Sequence, residues 1–148
     1  INENEKFDHK LKFLDEMATF FKFNKNQINL LCGDLNVSPN EDDVWSHKQL
    51  QNVVSHTKIE REKLIKIMTK GKFVDTTRMF ISPPENVFTW WSYRSKDFKK
   101  NNRGRRLDHI WITDHQSIES LNSKIMIETR SFPQPSDHVP ISYEFKLS

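Results

Sequence analysis

The stretch that decides the fold is residues 28–39, INLLCGDLNVSP. Its first six residues form a short apolar run that ends at Gly33, which predicts a buried strand that stops abruptly. Side chains two residues apart on an extended chain share a face, so Asp34 and Asn36 offer a carboxylate and an amide to one small volume. A turn in which both side chains bond to the local backbone is the alternative, and the motif taken alone favours it.

Two amphipathic helices flank this strand in the sequence. Residues 7–23 place apolar side chains at helical spacing. A second helix is marked by a capping box at Thr57 and Glu60 and by a closing glycine, Gly71. Residues 37–55 have little periodicity, which predicts an irregular connection of the kind that often carries function.

Four further apolar or aromatic runs predict strands. They cover residues 88–91, 107–113, 125–129 and 139–147, and the last alternates cleanly between apolar and polar side chains. The order of helix, strand, long connection, helix and several strands lacks the regular alternation of a doubly wound sheet. We therefore expect an α+β fold, with a largely antiparallel or mixed sheet and helices on one face.

Composition and charge narrow the functional class. The 148 residues are 35% hydrophobic and 29% charged, and they contain no apolar run long enough to span a membrane. The lone cysteine, Cys32, fits a reducing compartment, so we expect a cytoplasmic protein with no membrane partner. Residues 94–106, which we call the basic loop, carry a charge of +6 against −3 for the rest of the chain. Such a loop predicts an anionic partner at one place on the surface.

Two more polar clusters adjoin predicted strands. In residues 103–109, RGRRLDH, Asp108 begins an apolar strand, where it serves either a functional partner or a structural ion pair with an arginine. In residues 136–140, SDHVP, Asp137 and His138 precede the last strand. A histidine is more often structural than catalytic, and the functional interpretation of His138 needs Asp108 beside it to fix its tautomer.

The three clusters together predict a class of chemistry. They supply carboxylates, one amide and one imidazole, a donor set that suits Mg²⁺ or Mn²⁺ better than a structural zinc. The basic loop and the pair Trp90 and Trp91 indicate a phosphate-bearing substrate with a flat or cyclic group. The chemistry that fits is metal-assisted hydrolysis of a phosphoester.

The motifs LLCGDLNVSP, FTWWSYR with NNRGRRLDHIWIT, and PSDHVPI resemble, in order and spacing, the C-terminal half of the exonuclease III type of AP endonucleases. That family belongs to the wider endonuclease, exonuclease and phosphatase fold. The resemblance implies a four-layer α/β sandwich of two sheets with outer helices, to which this chain contributes mainly one sheet. It also implies that residues 1–148 are the C-terminal portion of one domain whose N-terminal half supplies an Asn, a metal-binding Glu and a Tyr. We expect the isolated chain to be inactive for that reason.

The resemblance further implies roles for individual residues. Candidate catalytic residues are Asp34, Asn36, Asp108 and His138. Candidate ligands of Mg²⁺ or Mn²⁺ are Asp34, Asn36, Asp137 and His138. Candidate DNA or abasic-pocket residues are Trp90, Arg103, Arg105 and Leu107. The expected partner is double-stranded DNA with abasic sites or 3′ ends, and the expected full-length protein is a monomer. The alternatives are a phosphatase of the same superfamily and a non-catalytic module that binds DNA or another partner.

Overall fold

A computed structural model describes residues 3–148, which form an α+β arrangement of helices and antiparallel strands. The helices are α1 (Glu3–Phe23), α2 (His47–Leu50), α3 (Lys58–Gly71), α4 (Thr76–Phe80) and α5 (Phe98–Asn101). The strands are β1 (Leu30–Asp34), β2 (Phe73–Asp75), β3 (Asp108–Thr113), β4 (Ile118–Ile125) and β5 (Ile141–Leu147). Within this range no helix has the length and apolar character needed to cross a membrane.

Helix α1 confirms the helix predicted for residues 7–23 and begins earlier, at Glu3. Its buried residues Leu14 and Ala18 are one turn apart, so they face the same side and pack in one cluster with Leu64 and Ile67 of α3. Trp111 of β3 lies in the same cluster and is fully buried. The first core therefore lies between the two long helices and the sheet.

Helix α3 has the capping box that the sequence predicted. The Thr57 hydroxyl accepts from the Glu60 amide, and the Glu60 carboxylate accepts from the Thr57 amide. Gly71 is the last helical residue, but the left-handed backbone position falls on Lys72, at φ 54°. Gly71 is needed for another reason, since a Cβ there would lie 2.5 Å from the ring of Phe73.

The strands form two antiparallel sheets. In the first, β3 is central, with β1 on one side and β2 on the other. In the second, β4 pairs with β5. The α+β class is confirmed, and the strands of residues 3–148 form two hydrogen-bonded sheets.

Two of the predicted strands are wrong. Residues 88–91 form no ladder; Trp90 makes single bridges to Arg105 and to His138. Their β-forming composition instead reflects burial, because Phe88 and Trp91 belong to a second core cluster. Residues 125–129 leave the sheet after Ile125 and enter a 3-10 turn, Ile127–Ser131.

The strand missed at this place is β4. Its register with β5 shifts between Ser120 and Asn122, which indicates a bulge that interrupts the alternation of apolar and polar side chains. The other elements missed from the sequence are short, namely β2, α2, α4 and α5.

A buried ion network lies behind the sheet edge. The Arg106 guanidinium is 0% exposed and contacts Asp75 at 2.7 and 2.9 Å and Asp43 at 2.9 and 3.0 Å. Arg78 reaches Asp43 at 2.7 Å from the other side. Burial by itself raises the pKa of Asp75, but the charge and hydrogen bonds of Arg106 outweigh burial and the net shift is downward. This network ties the connection after β1 to β2 and to the start of β3.

Candidate active site

Asp34 and Asp108 lie side by side at one end of the first sheet. Asp34 is the last residue of β1, Asp108 is the first of β3, and the antiparallel register pairs them directly. The pairing extends one step further, because the Leu35 amide donates to the Leu107 carbonyl at 3.0 Å. The sheet therefore presents two carboxylates at a single edge.

Backbone hydrogen bonds bring the third motif to the same edge. The Trp91 amide donates to the Asp137 carbonyl at 3.1 Å, and the Val139 amide donates to the Thr89 carbonyl at 2.8 Å. On the other side of this run, Trp90 and Arg105 exchange two backbone hydrogen bonds of 3.0 Å each. Residues 88–91 thus lie between the RGRRLDH and SDHVP motifs and align both.

His138 completes a group of three side chains. Its Nδ1 donates to Asp108 Oδ2 at 2.8 Å, and its Nε2 lies 3.8 Å from Asp34 Oδ2. One donor atom from each of the three residues lies within 4.8 Å of the others. The side chains are 46% exposed at Asp34, 31% at His138 and 17% at Asp108, so the group opens to solvent at the Asp34 side.

The charges around His138 change its basicity. Partial burial lowers the pKa of the imidazole, but the hydrogen bond and charge of Asp108, together with the charges of Asp34 and Asp137, outweigh burial. The net pKa is raised above the ordinary value of 6.5. Because Asp108 occupies Nδ1, Nε2 is the nitrogen that faces Asp34.

Thr89 holds Asp108 in place, and the sequence interpretation did not include it. Its buried hydroxyl donates to Asp108 Oδ2 at 2.6 Å and accepts from the amides of Leu107 and Asp108 at 3.0 and 3.2 Å. The same carboxylate oxygen therefore receives both Thr89 and His138. A threonine before two tryptophans carries no sequence signal of this role.

Asn36 makes local and long-range contacts. Its backbone is left-handed at φ 51°. Its backbone N–H donates to Asp34 Oδ1 at 2.8 Å, which is the local turn bond considered from the sequence. Its side-chain Oδ1 accepts from the Ser55 hydroxyl at 2.9 Å. The local turn is therefore present, and Asp34 and Asn36 also line the same cavity, so the two interpretations of this motif are compatible.

Asp137 lies outside the group of three. Its Oδ2 accepts a hydrogen bond of 2.9 Å from the Trp90 indole Nε1, which fixes the tryptophan ring. The carboxylate contributes to the potential at His138. Its role as a metal ligand stays a prediction.

A cavity of about 460 Å³ opens beside the group of three, and we call it the catalytic cavity. Six predicted site residues line it: Asp34, Asn36, Trp90, Arg105, Leu107 and His138. Residues 53–55 form the remaining wall, and the Val54 carbonyl accepts from Arg105 at 3.2 Å. The sequence did not single out these three residues; the available signal was their place at the end of the aperiodic connection.

The basic loop divides into exposed and buried residues. Arg103 is exposed and lies over the ring of Trp45 at 4.7 Å, outside the catalytic cavity. Arg106 is buried in the ion network, so it adds nothing to the positive surface that the sequence predicted. Trp91 is 2% exposed and packs in the core, so the expected stacking by both tryptophans is wrong for Trp91.

The donors at the cavity mouth fit a hard divalent cation. Asp34 Oδ2 lies 3.8 Å from His138 Nε2, Asn36 lines the same cavity, and both Asp34 and His138 are partly exposed. Oxygen-rich groups of this kind suit cations such as Mg²⁺ and Mn²⁺. The site therefore combines potential metal ligands, a basic imidazole and a cavity with an apolar wall.

Comparison with known proteins places this fold and site in a family. The sequence profile of the endonuclease/exonuclease/phosphatase family matches residues 13–138, and the chain belongs to that family.

Particular relatives place the chain more closely. It is 30% identical to exodeoxyribonuclease III of Haemophilus influenzae, over 95% of this chain and 55% of the relative. It is 32% identical to the DNA-(apurinic or apyrimidinic site) endonuclease of Dictyostelium discoideum, over 97% of this chain and 39% of the relative. The structure of an AP endonuclease from Archaeoglobus fulgidus matches 95% of this chain and 55% of its own, with a TM-score of 0.86 and 29% identity. The chain spans about half the length, or less, of these relatives.

Proposed function

We propose that the protein to which these residues belong hydrolyses phosphodiester bonds of double-stranded DNA, cutting beside abasic sites and trimming 3′ ends as a repair nuclease. The observation that carries the proposal is the group Asp34, Asp108 and His138 at the mouth of the catalytic cavity. The names of the relatives, an exodeoxyribonuclease III and two AP endonucleases, support the choice of DNA.

The geometry of the three residues supports a division of work. Thr89 and His138 both bond to Asp108, so Asp108 sets the orientation of the imidazole. His138 Nε2 and the Asp34 carboxylate then approach one region of the cavity mouth, where we place the attacking water. His138 orients or deprotonates this water, and Asp34 handles a proton at the water or at the leaving oxygen. The backbone N–H of Asn36 positions Asp34, and the Asn36 side chain faces the phosphate.

We propose Mg²⁺ or Mn²⁺ as the cation, held by oxygen atoms of Asp34, Asn36 and Asp137. Of the predicted ligands, His138 is left out, because Asp108 occupies its Nδ1 and its Nε2 acts on the water. When bound, the cation offsets the negative charge that develops on the phosphoryl oxygens.

The catalytic cavity has the walls that an abasic sugar needs. Trp90 and Leu107 supply apolar surface, and Arg105 supplies a charge at the same wall. A cavity of this kind accepts a flipped-out sugar against the apolar surface of Trp90 and Leu107. Arg103 and the exposed lysines of the basic loop are placed to contact the DNA backbone. We expect a monomeric cytoplasmic enzyme.

The test is cleavage by the protein in its full natural length. A duplex oligonucleotide with one abasic-site analogue and a matched intact duplex are incubated with Mg²⁺, with Mn²⁺ and with EDTA. The proposal predicts incision at the abasic analogue with either cation and none in EDTA, plus slow removal of nucleotides from a 3′ end.

Two outcomes contradict the proposal. If the DNA stays intact while an inositol phosphate or a phospholipid is hydrolysed, the protein is a phosphatase of the same family. If the DNA is bound tightly but not cut with any divalent cation, the site serves binding alone.

A further inference from the structure

A second cleft adjoins the catalytic cavity, and no role has been assigned to it so far. Its volume is about 470 Å³, and its main lining residues are Trp45, Trp90, Ser95, Arg94, Arg103 and Arg105. We call it the tryptophan–arginine cleft. Trp45 lies in the connection between β1 and α2 and was not singled out from the sequence.

We propose that the tryptophan–arginine cleft binds one unpaired nucleotide of the DNA strand, stacking its base at Trp45 and holding its phosphate with the arginines. The choice of DNA as the source of this nucleotide rests on the proposed function. Three observations carry the assignment: the aromatic faces, the polar atoms without partners, and the continuity with the catalytic cavity.

Trp45 is held as a platform. Its amide donates to the Gly104 carbonyl at 3.2 Å, and the neighbouring Val44 bridges to Arg105, so the backbone is fixed against the basic loop. The ring packs against the second core cluster while the Arg103 guanidinium lies 4.7 Å from its centroid. Trp90 carries Arg105 in the same way at 5.6 Å. Paired tryptophan and arginine surfaces are the kind on which nucleic-acid bases stack.

Polar atoms of the cleft lack partners within the described chain. Ser95 Oγ and Arg105 Nε have no hydrogen-bond partner among residues 3–148, and the rest of the Arg105 guanidinium makes one bond, of 3.2 Å to the Val54 carbonyl. None of the ion pairs in that range includes Arg94 or Arg103. Among the described residues, no acidic side chain lines the cleft. Three guanidinium groups without a carboxylate predict an anionic ligand, and an aromatic platform beside them predicts that the anion carries a flat ring.

The cleft continues the catalytic cavity. Trp90 and Arg105 line both spaces, so a strand whose reacting phosphate lies at His138 brings an adjacent nucleotide to the cleft. A base can stack on the face of Trp45 only after it leaves its pairing partner and its stacked neighbour. The cleft therefore favours DNA with an unpaired nucleotide next to the reacting phosphate, such as a frayed or mismatched 3′ end.

The experiment measures DNA binding in EDTA, so that it needs no hydrolysis. The full-length protein and its variants are titrated with two labelled duplexes, one blunt and one ending in a single unpaired 3′ nucleotide. Trp45→Leu should weaken binding of the unpaired end by about ten-fold or more, the order that base stacking contributes. It should change binding of the blunt duplex less than two-fold, and Trp45→Phe should restore most of the preference.

Arg103→Gln provides an independent variant, because Arg103 is exposed and its replacement does not disturb the core. It should weaken binding of both duplexes and reduce the slope of log affinity against log salt by about one. Phe23→Leu, at the exposed C-terminal end of α1, is the matched control for loss of a surface aromatic.

The results separate this inference from the proposed function. If Trp45→Leu weakens both duplexes equally, or neither, the cleft is not a nucleotide subsite, whatever the enzyme cleaves. If the protein cuts no DNA but Trp45→Leu still removes the preference for the unpaired end, the subsite stands and the proposed function fails. If Trp45→Leu lowers the melting temperature strongly, the other two variants decide. The inference holds if Trp45→Phe and Arg103→Gln both still prefer the unpaired end. If only Arg103→Gln loses that preference, the charge discriminates between the duplexes, and stacking at Trp45 is overturned.

Discussion

Two charged groups lie on either side of Leu107 and differ in how completely their charges are satisfied. In the ion network, Arg106 is 0% exposed, and its guanidinium is occupied by Asp43 and Asp75. In the group of three formed by Asp34, Asp108 and His138, the side chains of His138 and Asp34 are 31% and 46% exposed, and their facing atoms are 3.8 Å apart. A fully paired and buried charge has little left to offer a ligand, whereas a partly exposed group keeps positions free for water, a cation and phosphate. Within one short motif, Arg106 thus stabilises the fold, whereas Asp108 belongs to a group that can still bind a ligand.

The largest expected effect is on stability, from the loss of Arg106. Arg106→Met leaves the carboxylates of Asp43 and Asp75 buried with less compensation, because Arg78 still pairs with Asp43 alone. We expect the free energy of unfolding to fall by about 3–5 kcal/mol, measured by urea denaturation. Lys99→Met, on the exposed side of the same loop, should change it by less than about 0.5 kcal/mol.

A second substitution distinguishes uncompensated charge from lost packing. Asp75→Asn in the Arg106→Met background removes one of the buried charges and should recover part of the lost stability. No recovery would mean that the guanidinium acts by filling space.

On the catalytic side, His138→Ala should act on the reaction and leave the fold in place. We expect the rate constant kcat for abasic-site incision to fall by about 100- to 10,000-fold, the range for a general acid–base group. Asp34→Asn should lower it comparably, and His9→Ala, on the exposed face of α1, should not change it. DNA binding in EDTA should remain. If affinity falls in parallel with cleavage, His138 binds the substrate and does not act on the water.

The buried and the partly exposed groups also differ in how they make folding stability depend on pH. His109 follows Asp108 in β3, is 0% exposed, and bonds through Nε2 to the Val37 carbonyl at 2.8 Å. Burial, with the nearby charge of Arg106, lowers the pKa of His109 to about 4. Between pH 6.5 and 4 the unfolded chain binds a proton that the folded chain does not, so stability falls as pH falls through this window. We expect a loss of about 3 kcal/mol over the window from His109.

His109→Gln is the matched variant, because an amide can still donate to the Val37 carbonyl. It should remove most of the loss in stability between pH 6.5 and 4.5, measured by urea denaturation at fixed pH values. His56 is buried, and burial also lowers its pKa, so His56 accounts for a smaller part of the loss of stability as the pH falls. His138 contributes in the opposite direction, since its raised pKa stabilises the folded state below pH 6.5. An unchanged pH profile in His109→Gln would show that His109 is protonated in the fold.

The sequence predicted those elements whose signals are local. The 3.6-residue periodicity of α1, the capping box of Thr57 and Glu60, and the apolar run of β3 each lie within a few turns or residues. The pairing of Asp34 with Asp108 joins residues far apart in the chain, and only the resemblance to a family placed them together before the structure did. No local pattern encodes a register between distant strands.

Each failed prediction has a physical cause that lies outside the local sequence. Residues 88–91 have β-forming side chains, but their backbone partners are single bridges from two other loops, and tertiary packing determines their conformation. Strand β4 was missed because a bulge breaks its alternation. Arg106 was taken as a surface group because composition cannot distinguish an exposed charge from one neutralised by a distant aspartate. Trp91 was taken as a surface group because composition cannot distinguish an exposed aromatic ring from one packed in the core.

The smallest expected effect comes from Thr89, which bonds to the Asp108 carboxylate and to the backbone of Leu107 and Asp108. Thr89→Val keeps the shape of the buried side chain but removes the hydroxyl that donates to Asp108 Oδ2 and accepts from two amides. The carboxylate of Asp108 then loses one of its two partners and holds His138 less rigidly, so kcat should fall by about ten-fold with little change in KM. The His138 pKa, followed by NMR, should change with kcat, and Thr89→Ser should restore both. If Thr89→Val lowers the melting temperature but leaves kcat and the His138 titration unchanged, the hydroxyl supports the backbone alone, and the orientation of His138 depends on Asp108 without help from Thr89.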